Sequence, residues 1–480
     1  MENNSFIHGL LETFAAAGTD KTAFSVYDGE KVVDIPYRQF LADIRNAAGY
    51  FYYGKIKYQH IAIAAENSYD WLVVFFAIMA SGNTAVPLNQ DLPGDLLLEQ
   101  CGQADISLIC CDNNGCPDFG KVFGKEKLLK FEDIRAGYPI PMDAIHRPDP
   151  DDTTAMIFTS GTTGKSKIVE FSNRNILCVL SDLEEIVSAP LMWRTFLTFP
   201  LYHISGLITV LALLRKYHTI CIGRGVRYLL LDVPKFSPSF VPMVPSILSS
   251  LAKLLRGTKT LAERKKYIGS NLLGVSIAGA SADVSLCRYV MDLGIQIQST
   301  FGMTESAGPS TWCVWSEDTI GSIGKPFGST VCRIENGELL LKGPAVMKGY
   351  YKDPEETAKI LENGWLHTGD LAHCDENGYY YLIGRKKNVM ILSNGENVNP
   401  EEIEAAFSEC PEILESMVYN DAKGICADVY TKEKAACAAF IRKYNDSVPL
   451  YRQVYQVNYS AAPLEKTGSG KIKRKENVYV

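Results

Sequence analysis

Short apolar runs alternate with helix-patterned segments through most of the first 300 residues, and this alternation restricts the fold more than any other feature. Residues 61–64, 84–88, 107–111, 195–198 and 275–278 read as short buried strands. Between the first two lies WLVVFFAIMA, residues 71–80. A bilayer-spanning helix needs about 20 apolar residues, so this run reads as a helix buried inside the protein. Alternation of this kind argues for an α/β class with layered, parallel-rich sheets. A chain of 480 residues, 46% of them hydrophobic, can bury a large core. At about 150 residues per domain it suggests two or three domains.

The texture changes near residue 330. Residues 331–334, 337–341 and 379–383 read as short strands with glycine turns, which predicts a β-rich subdomain. A charged junction, Gly384-Arg385-Lys386-Lys387, follows. Beyond it one helix is expected over 400–408, with Asn399 as its N-cap. The expected division is a large domain, 1–383, and a small α+β domain, 384–480, with a hinge about 384–388.

Composition removes several function classes. The net charge of −7 speaks against a broad basic nucleic-acid surface. The thirteen cysteines are an odd number with no Cys-x-x-Cys. Reduced, mostly buried thiols in the cytoplasm are expected rather than a disulfide framework or zinc site. The first residues carry no basic stretch followed by an apolar run, so no signal peptide and no transmembrane segment are expected.

Four polar segments carry the chemistry. Thr159-Ser160-Gly161-Thr162-Thr163-Gly164-Lys165-Ser166-Lys167 combines glycines, which let backbone N–H groups approach a ligand, with hydroxyl and ammonium donors for anionic oxygens. The spacing is not that of a Walker loop. Apolar runs at 155–158 and 168–171 predict a hairpin with this loop at its tip. Phe301-Gly302-Met303-Thr304-Glu305 offers an aromatic face for a base, a hydroxyl for a phosphate and a carboxylate for Mg²⁺. Asp370 follows a Gly turn and can accept ribose hydroxyls. Residues 466–474 form a Gly- and Lys-rich stretch containing Lys471.

In their order and spacing, these segments resemble the adenylate-forming superfamily of acyl-CoA synthetases, aryl-CoA ligases, luciferases and adenylation domains. The resemblance runs from about residue 35 to the end. It includes Ala80-Ser81-Gly82-Asn83-Thr84, Pro200-Leu201-Tyr202-His203-Ile204, and Gly384–Asn388 with the loop that follows. It implies ATP-dependent activation of a fatty or aryl acid to an acyl-AMP, then transfer to a thiol.

The roles implied are these. Thr159 to Lys167, with Lys167 as the loop lysine, would hold the β- and γ-phosphates. Phe301 would lie against adenine, with Gly302 beside it, and Gly279 and Ala280 would line the ring. Thr304 would bond the α-phosphate, and Glu305 would hold Mg²⁺. Asp370 and Arg385 would bind the ribose. Lys471 would bridge the substrate carboxylate and the α-phosphate, and Lys387 would be the pivot of a mobile small domain. His203 would border the carboxylate, in a pocket walled by Gly206, Met243, Val244, Ser246 and Met303.

Departures from the family pattern are Ser166 where proline is common, Phe301 without the tyrosine hydroxyl, and Lys387 where aspartate is frequent. Pro463 also lies further from Lys471 than in the commonest spacing, and the segment 384–480 is short. No Asp follows the 200–204 segment to grip an α-amine, so an acid with an uncharged tail is expected. No carrier module follows in the sequence. The expected acceptor is free coenzyme A or, alternatively, the phosphopantetheine of a separate acyl carrier protein.

Overall fold

The computed structural model describes residues 5–18, 20–112, 116–159, 166–188, 192–278, 284–392, 396–421, 424–466 and 472–475. Two large sheets organise it. One has seven strands, in the order Gly349–Tyr350, Lys167–Ser172, Thr153–Thr159, Thr84–Pro87, His60–Ala64, Ile106–Cys111, Leu128–Lys130. Its last five strands are parallel and its first two pairings antiparallel. The other has nine strands, and its centre is parallel: Thr22–Tyr27, Thr219–Ile222, Arg194–Phe196, Phe240–Met243, Gly274–Ile277 and Gln296–Met303. Strand Gly308–Val314 adds antiparallel to Gln296–Met303.

The expected buried helix spans Tyr69–Ala80, and every residue from Trp71 to Ala80 is buried. Ser68 caps it by accepting from the Trp71 N–H. The helix is apolar on all sides because it lies between the sheets. Its cluster takes Ile61, Ile63, Ala155, Ile157 and Val169 from one sheet, and Ala23, Phe24 and Ile220 from the other. Helix Ile204–Arg215 shares this layer. Full burial of such side chains contributes about 1.5–3 kcal/mol each.

The β-rich region is also present. Strands Val331–Glu335, Glu338–Lys342, Trp365–Cys374, Leu361–Glu362 and Tyr380–Arg385 form one antiparallel sheet. Further on, Glu415–Asp421, Gly424–Tyr430 and Gln456–Ser460 form a three-stranded sheet. It builds a separate apolar cluster with Met390, Val398, Ile403 and Phe407.

Three expectations need correction. A second helix, Lys434–Ser447, accompanies Pro400–Phe407; its only described buried side chains, Cys437 and Ile441, give it a weak apolar pattern. Asn399 stands at the N-cap position but makes no cap bond; its amide donates instead to the Ile383 carbonyl at 2.6 Å. Cysteines 101, 110, 178, 221, 287, 313, 332, 374, 410, 426 and 437 are free thiols, whereas Cys111 is disulfide-bonded. Among the described residues no helix is long and apolar enough to cross a membrane.

Candidate active site

The hairpin expected around the first loop is built by strands Thr153–Thr159 and Lys167–Ser172, paired antiparallel with Thr159 opposite Lys167. The loop tip, Ser160, Gly161, Thr162, Thr163, Gly164 and Lys165, lies outside the described residues. Ser166, at the loop's end, accepts a bond from the Gln100 amide at 3.3 Å. Lys167 is more constrained than the sequence suggests. Its ammonium sits 2.5 Å from Glu356 and 4.8 Å above the Tyr350 ring centre. It therefore ties the hairpin base to helix Pro354–Ile360. Bonds from Lys167 and Lys359 hold the Glu356 carboxyl down at about 2.

Glu305 lies in the short turn Thr304–Ser306, immediately after strand Gln296–Met303. The turn is fixed by Ser306, whose hydroxyl bonds the backbone of Met303 and Gly308. Thr304 is half-buried and its carbonyl accepts from Ala307. Gly302 is obligatory here, because a Cβ would stand 1.9 Å from the Gly308 carbonyl oxygen. Glu305 is 8% exposed, and Tyr350 donates its hydroxyl to Oε1 at 2.7 Å. Burial, reinforced by Glu305, pushes the Tyr350 phenol up, so it remains a donor. No cationic side chain among the described residues pairs with Glu305. Among the described residues, the side-chain partner of this buried carboxylate is the Tyr350 phenol. That donor set fits a divalent cation.

Tyr350 also joins the two parts. Its strand pairs with the phosphate hairpin, Gly349 opposite Glu170 and Tyr350 opposite Val169. The hairpin base and Glu305 therefore meet on one tyrosine.

Phe301 and Met303 lie on the same side of their strand. Both pack against the cluster formed by Leu339, Leu341, Leu366 and Ala372 of the β-rich sheet together with Ile323. Asp370 is on that sheet, 6% exposed, directly opposite Arg385 and 2.6 Å from its Nε. The turn before it is held by Glu338, which accepts from the Gly369 N–H at 3.0 Å, from Lys386 at 2.8 Å and from His367 at 3.4 Å. Burial alone would raise the Glu338 carboxyl, but these bonds outweigh it and keep it below its ordinary value. Lys387 is exposed, in the short turn Lys386–Asn388.

His203 is the N-cap residue of helix Ile204–Arg215, with its ring 4.7 Å from that of Tyr202. The preceding turn is clamped by Asn67, which donates to the Phe199 carbonyl and accepts from the Leu201 N–H, both at 2.8 Å. A Cβ on Gly206 would come 2.3 Å from the Pro200 carbonyl oxygen, so its glycine serves close packing of helix on turn. Ile208 of this helix reaches Gly308, which brings the helix against the strand that follows Glu305.

Not every expected wall residue lines a pocket. Met243 is 2% exposed and packed among Val233, Leu248 and Leu251, so it belongs to the core on the far face of the sheet. Val244 is half-buried at the start of helix Pro245–Arg256, which also carries Ser246. Gly279, Ala280 and Lys471 lie outside the described residues. The stem of the Lys471 loop is visible: Lys466 bridges to Ile472, and Ile472 packs with Leu464 on Met417, Tyr419 and Cys426. Tyr350, Glu356, Glu338 and Asn67 have no motif of their own. Their contacts reach across 45, 189, 31 and 132 residues of chain.

The sequence profile of the AMP-binding enzymes matches residues 11–351. A 2-succinylbenzoate–CoA ligase from Bacillus cytotoxicus is 31% identical over 383 residues, covering 75% of each chain. Among solved structures, o-succinylbenzoate CoA synthetase from Bacillus subtilis, in complex with its acyl-adenylate intermediate, superposes with a TM-score of 0.84. It is 22% identical and covers 97% of this chain and 96% of that one. ATP-bound MatB from Rhodopseudomonas palustris gives the same TM-score and identity, with 97% of each chain covered. At such identities these two structures speak for the fold.

Proposed function

This chain belongs to the family of AMP-binding enzymes, and on that premise we propose that it activates an aryl carboxylic acid with ATP and passes the acyl group to the thiol of coenzyme A. It is a ligase of the AMP-forming acid–thiol type. The curated relative's name supports an aryl acid and free coenzyme A over a fatty acid or a carrier protein.

The observation that carries the reading is the buried Glu305 carboxylate joined through Tyr350 to the base of the phosphate hairpin. A carboxylate is a poor acyl donor because its leaving group would be oxide. Attack of the carboxylate oxygen on the α-phosphorus of ATP expels pyrophosphate and leaves an acyl-AMP. Two anions must approach, so the site must place positive charge where negative charge gathers. Glu305 would hold Mg²⁺, which supplies such charge when bound. The hairpin loop holds the β/γ end of ATP, with Lys167 bracing the base through Glu356. Thr304 bonds the α-phosphate, Phe301 packs against the base, and Asp370 with Arg385 takes the ribose. His203, steadied by Asn67, borders the acid. Lys471 supplies the second cation: a unit charge at about 4 Å and effective dielectric of about 20 is worth roughly 4 kcal/mol. That is about a thousandfold in rate.

For the thiol step, the small domain from about 384 onward turns at Lys387. Arg385 and Lys386 remain anchored to Asp370 and Glu338, and Lys471 is carried away. The test is acid-dependent exchange of pyrophosphate into ATP, run on wild type and Glu305→Gln. Acid-dependent exchange that the variant loses supports the reading. Exchange that is absent, or indifferent to Glu305, contradicts it.

A further inference from the structure

Helix Gly94–Gln103 lies on the face of the seven-stranded sheet turned away from helix Tyr69–Ala80. Its buried positions are Leu97, Gln100 and Cys101, a spacing that sets all three on one side of the helix. Leu97 and Cys101 pack in the cluster that holds Met156 and Ile168, one from each strand of the phosphate hairpin. A polar side chain at such a core-facing position needs a reason. Gln100 is 7% exposed, and its Nε2 donates to the Ser166 hydroxyl at 3.3 Å. Its Oε1 is buried and has no partner among the described residues. A buried acceptor left unpaired is destabilising, so leucine would serve the fold better here. What glutamine provides is the reach to Ser166.

Ser166 ends the loop, and Lys167 begins the strand that follows it. Ile168 faces helix Gly94–Gln103, whereas Val169 faces the core between the sheets. Side chains alternate along a strand, so Ser166 lies with Ile168 and Lys167 with Val169. The two residues that close the loop are thus held from opposite faces. Glu356 of helix Pro354–Ile360 holds Lys167, and Gln100 holds Ser166. Just past the end of its helix comes Asp105, which accepts from Tyr351 at 2.6 Å and from Lys352 at 2.5 Å. Both follow directly on Tyr350, the partner of Glu305. One helix therefore reaches the loop's end and the strand that carries Tyr350. A proline at 166 would limit φ through its ring; serine leaves φ free, and the bond to Gln100 supplies the restraint.

We propose that Gln100 is a positioning residue: through Ser166 it fixes where the loop joins its second strand, and so aligns the loop on the β/γ end of ATP. The inference rests on the ATP-binding role given to that loop under the acid–thiol ligase reading.

The experiment measures MgATP affinity by calorimetry and acid-dependent pyrophosphate exchange with a panel of aryl acids. It uses the full chain as wild type, Gln100→Leu, Ser166→Ala and the double variant. Gln100→Leu is expected to weaken ATP binding, and to raise the KM for ATP, by about three- to tenfold. Its kcat at saturating ATP and its KM for the acid should keep their wild-type values. Its melting midpoint should equal or exceed that of wild type, because an unpaired polar atom leaves the core. In the Ser166→Ala background, Gln100→Leu should have no further effect on ATP affinity. Wild-type ATP affinity in Gln100→Leu, a midpoint well below wild type, or the same loss of affinity with and without Ser166 overturns the proposal. Wild type that binds ATP but shows no exchange with any acid overturns the ligase reading alone, and the affinities still decide the role of Gln100. Wild type that does not bind ATP overturns both.

Discussion

The two lysine-bearing loops stand on very different stems. The loop of residues 160–165 closes a hairpin inside the seven-stranded sheet, where Ile157 faces Val169 and both are fully buried. Among the described residues, the Lys471 loop stands on an isolated bridge, Lys466 to Ile472, with the Lys473 N–H donating to the Glu465 carbonyl at 2.8 Å. Around that bridge are charges: Lys466 is 2.6 Å from Glu415, Lys473 pairs with Glu465, and Arg474 lies 2.6 Å from Glu404. Burial holds the first stem and ion pairs hold much of the second. Such a contrast suits a fixed cradle for ATP and a catalytic arm that must come and go. It also separates the ways in which each can be damaged.

The largest effect is expected at the arm's tip. Lys471→Ala should lower pyrophosphate exchange by about 10²–10⁴-fold, with ATP affinity by calorimetry largely intact. Near-normal exchange would sink the assignment. In the cradle, Ile157→Ala should instead destabilise the fold by about 2–5 kcal/mol, read as a lower denaturation midpoint. A similar loss from Lys466→Ala would erase the contrast. That pair, whose lysine is exposed, is worth about 0.2–1 kcal/mol, so Lys466→Ala should leave the midpoint almost unmoved and slow adenylation modestly. Lys387→Pro fixes φ at the pivot and should slow thioester formation while sparing exchange. Equal damage to both steps would count against a pivot there.

The smallest effect concerns the clasp at the cradle's base. The Glu356 carboxyl is held at about 2, from an ordinary 4.5. A lowered value means its contribution is fully present above pH 4.5 and is lost as pH falls toward 2. The stability gap between wild type and Glu356→Gln should be constant above pH 4.5 and vanish toward pH 2. A gap that instead grows in acid would contradict the clasp.

The same contrast explains what could be read in the sequence. The layered fold was legible because buried strands and the helix Tyr69–Ala80 are apolar throughout. The hairpin was legible because its polar loop interrupts two apolar runs. Helix Lys434–Ser447 was not, since so little of it is buried. Met243 is a pocket wall only by the family resemblance. It shares side-chain parity with Val241, and that side is core. Tyr350 and Asn67 act through bonds to residues 45 and 132 positions away, which no local pattern announces.

The most direct measurement follows both products in one reaction: AMP released and acyl-CoA formed when an aryl acid, ATP, Mg²⁺ and free coenzyme A are mixed with the full chain. The account predicts that the two appear together, one acyl-CoA for each AMP, and that both depend on the acid. AMP released without acyl-CoA would contradict coenzyme A as the acceptor. No acid-dependent AMP at all would contradict adenylation itself.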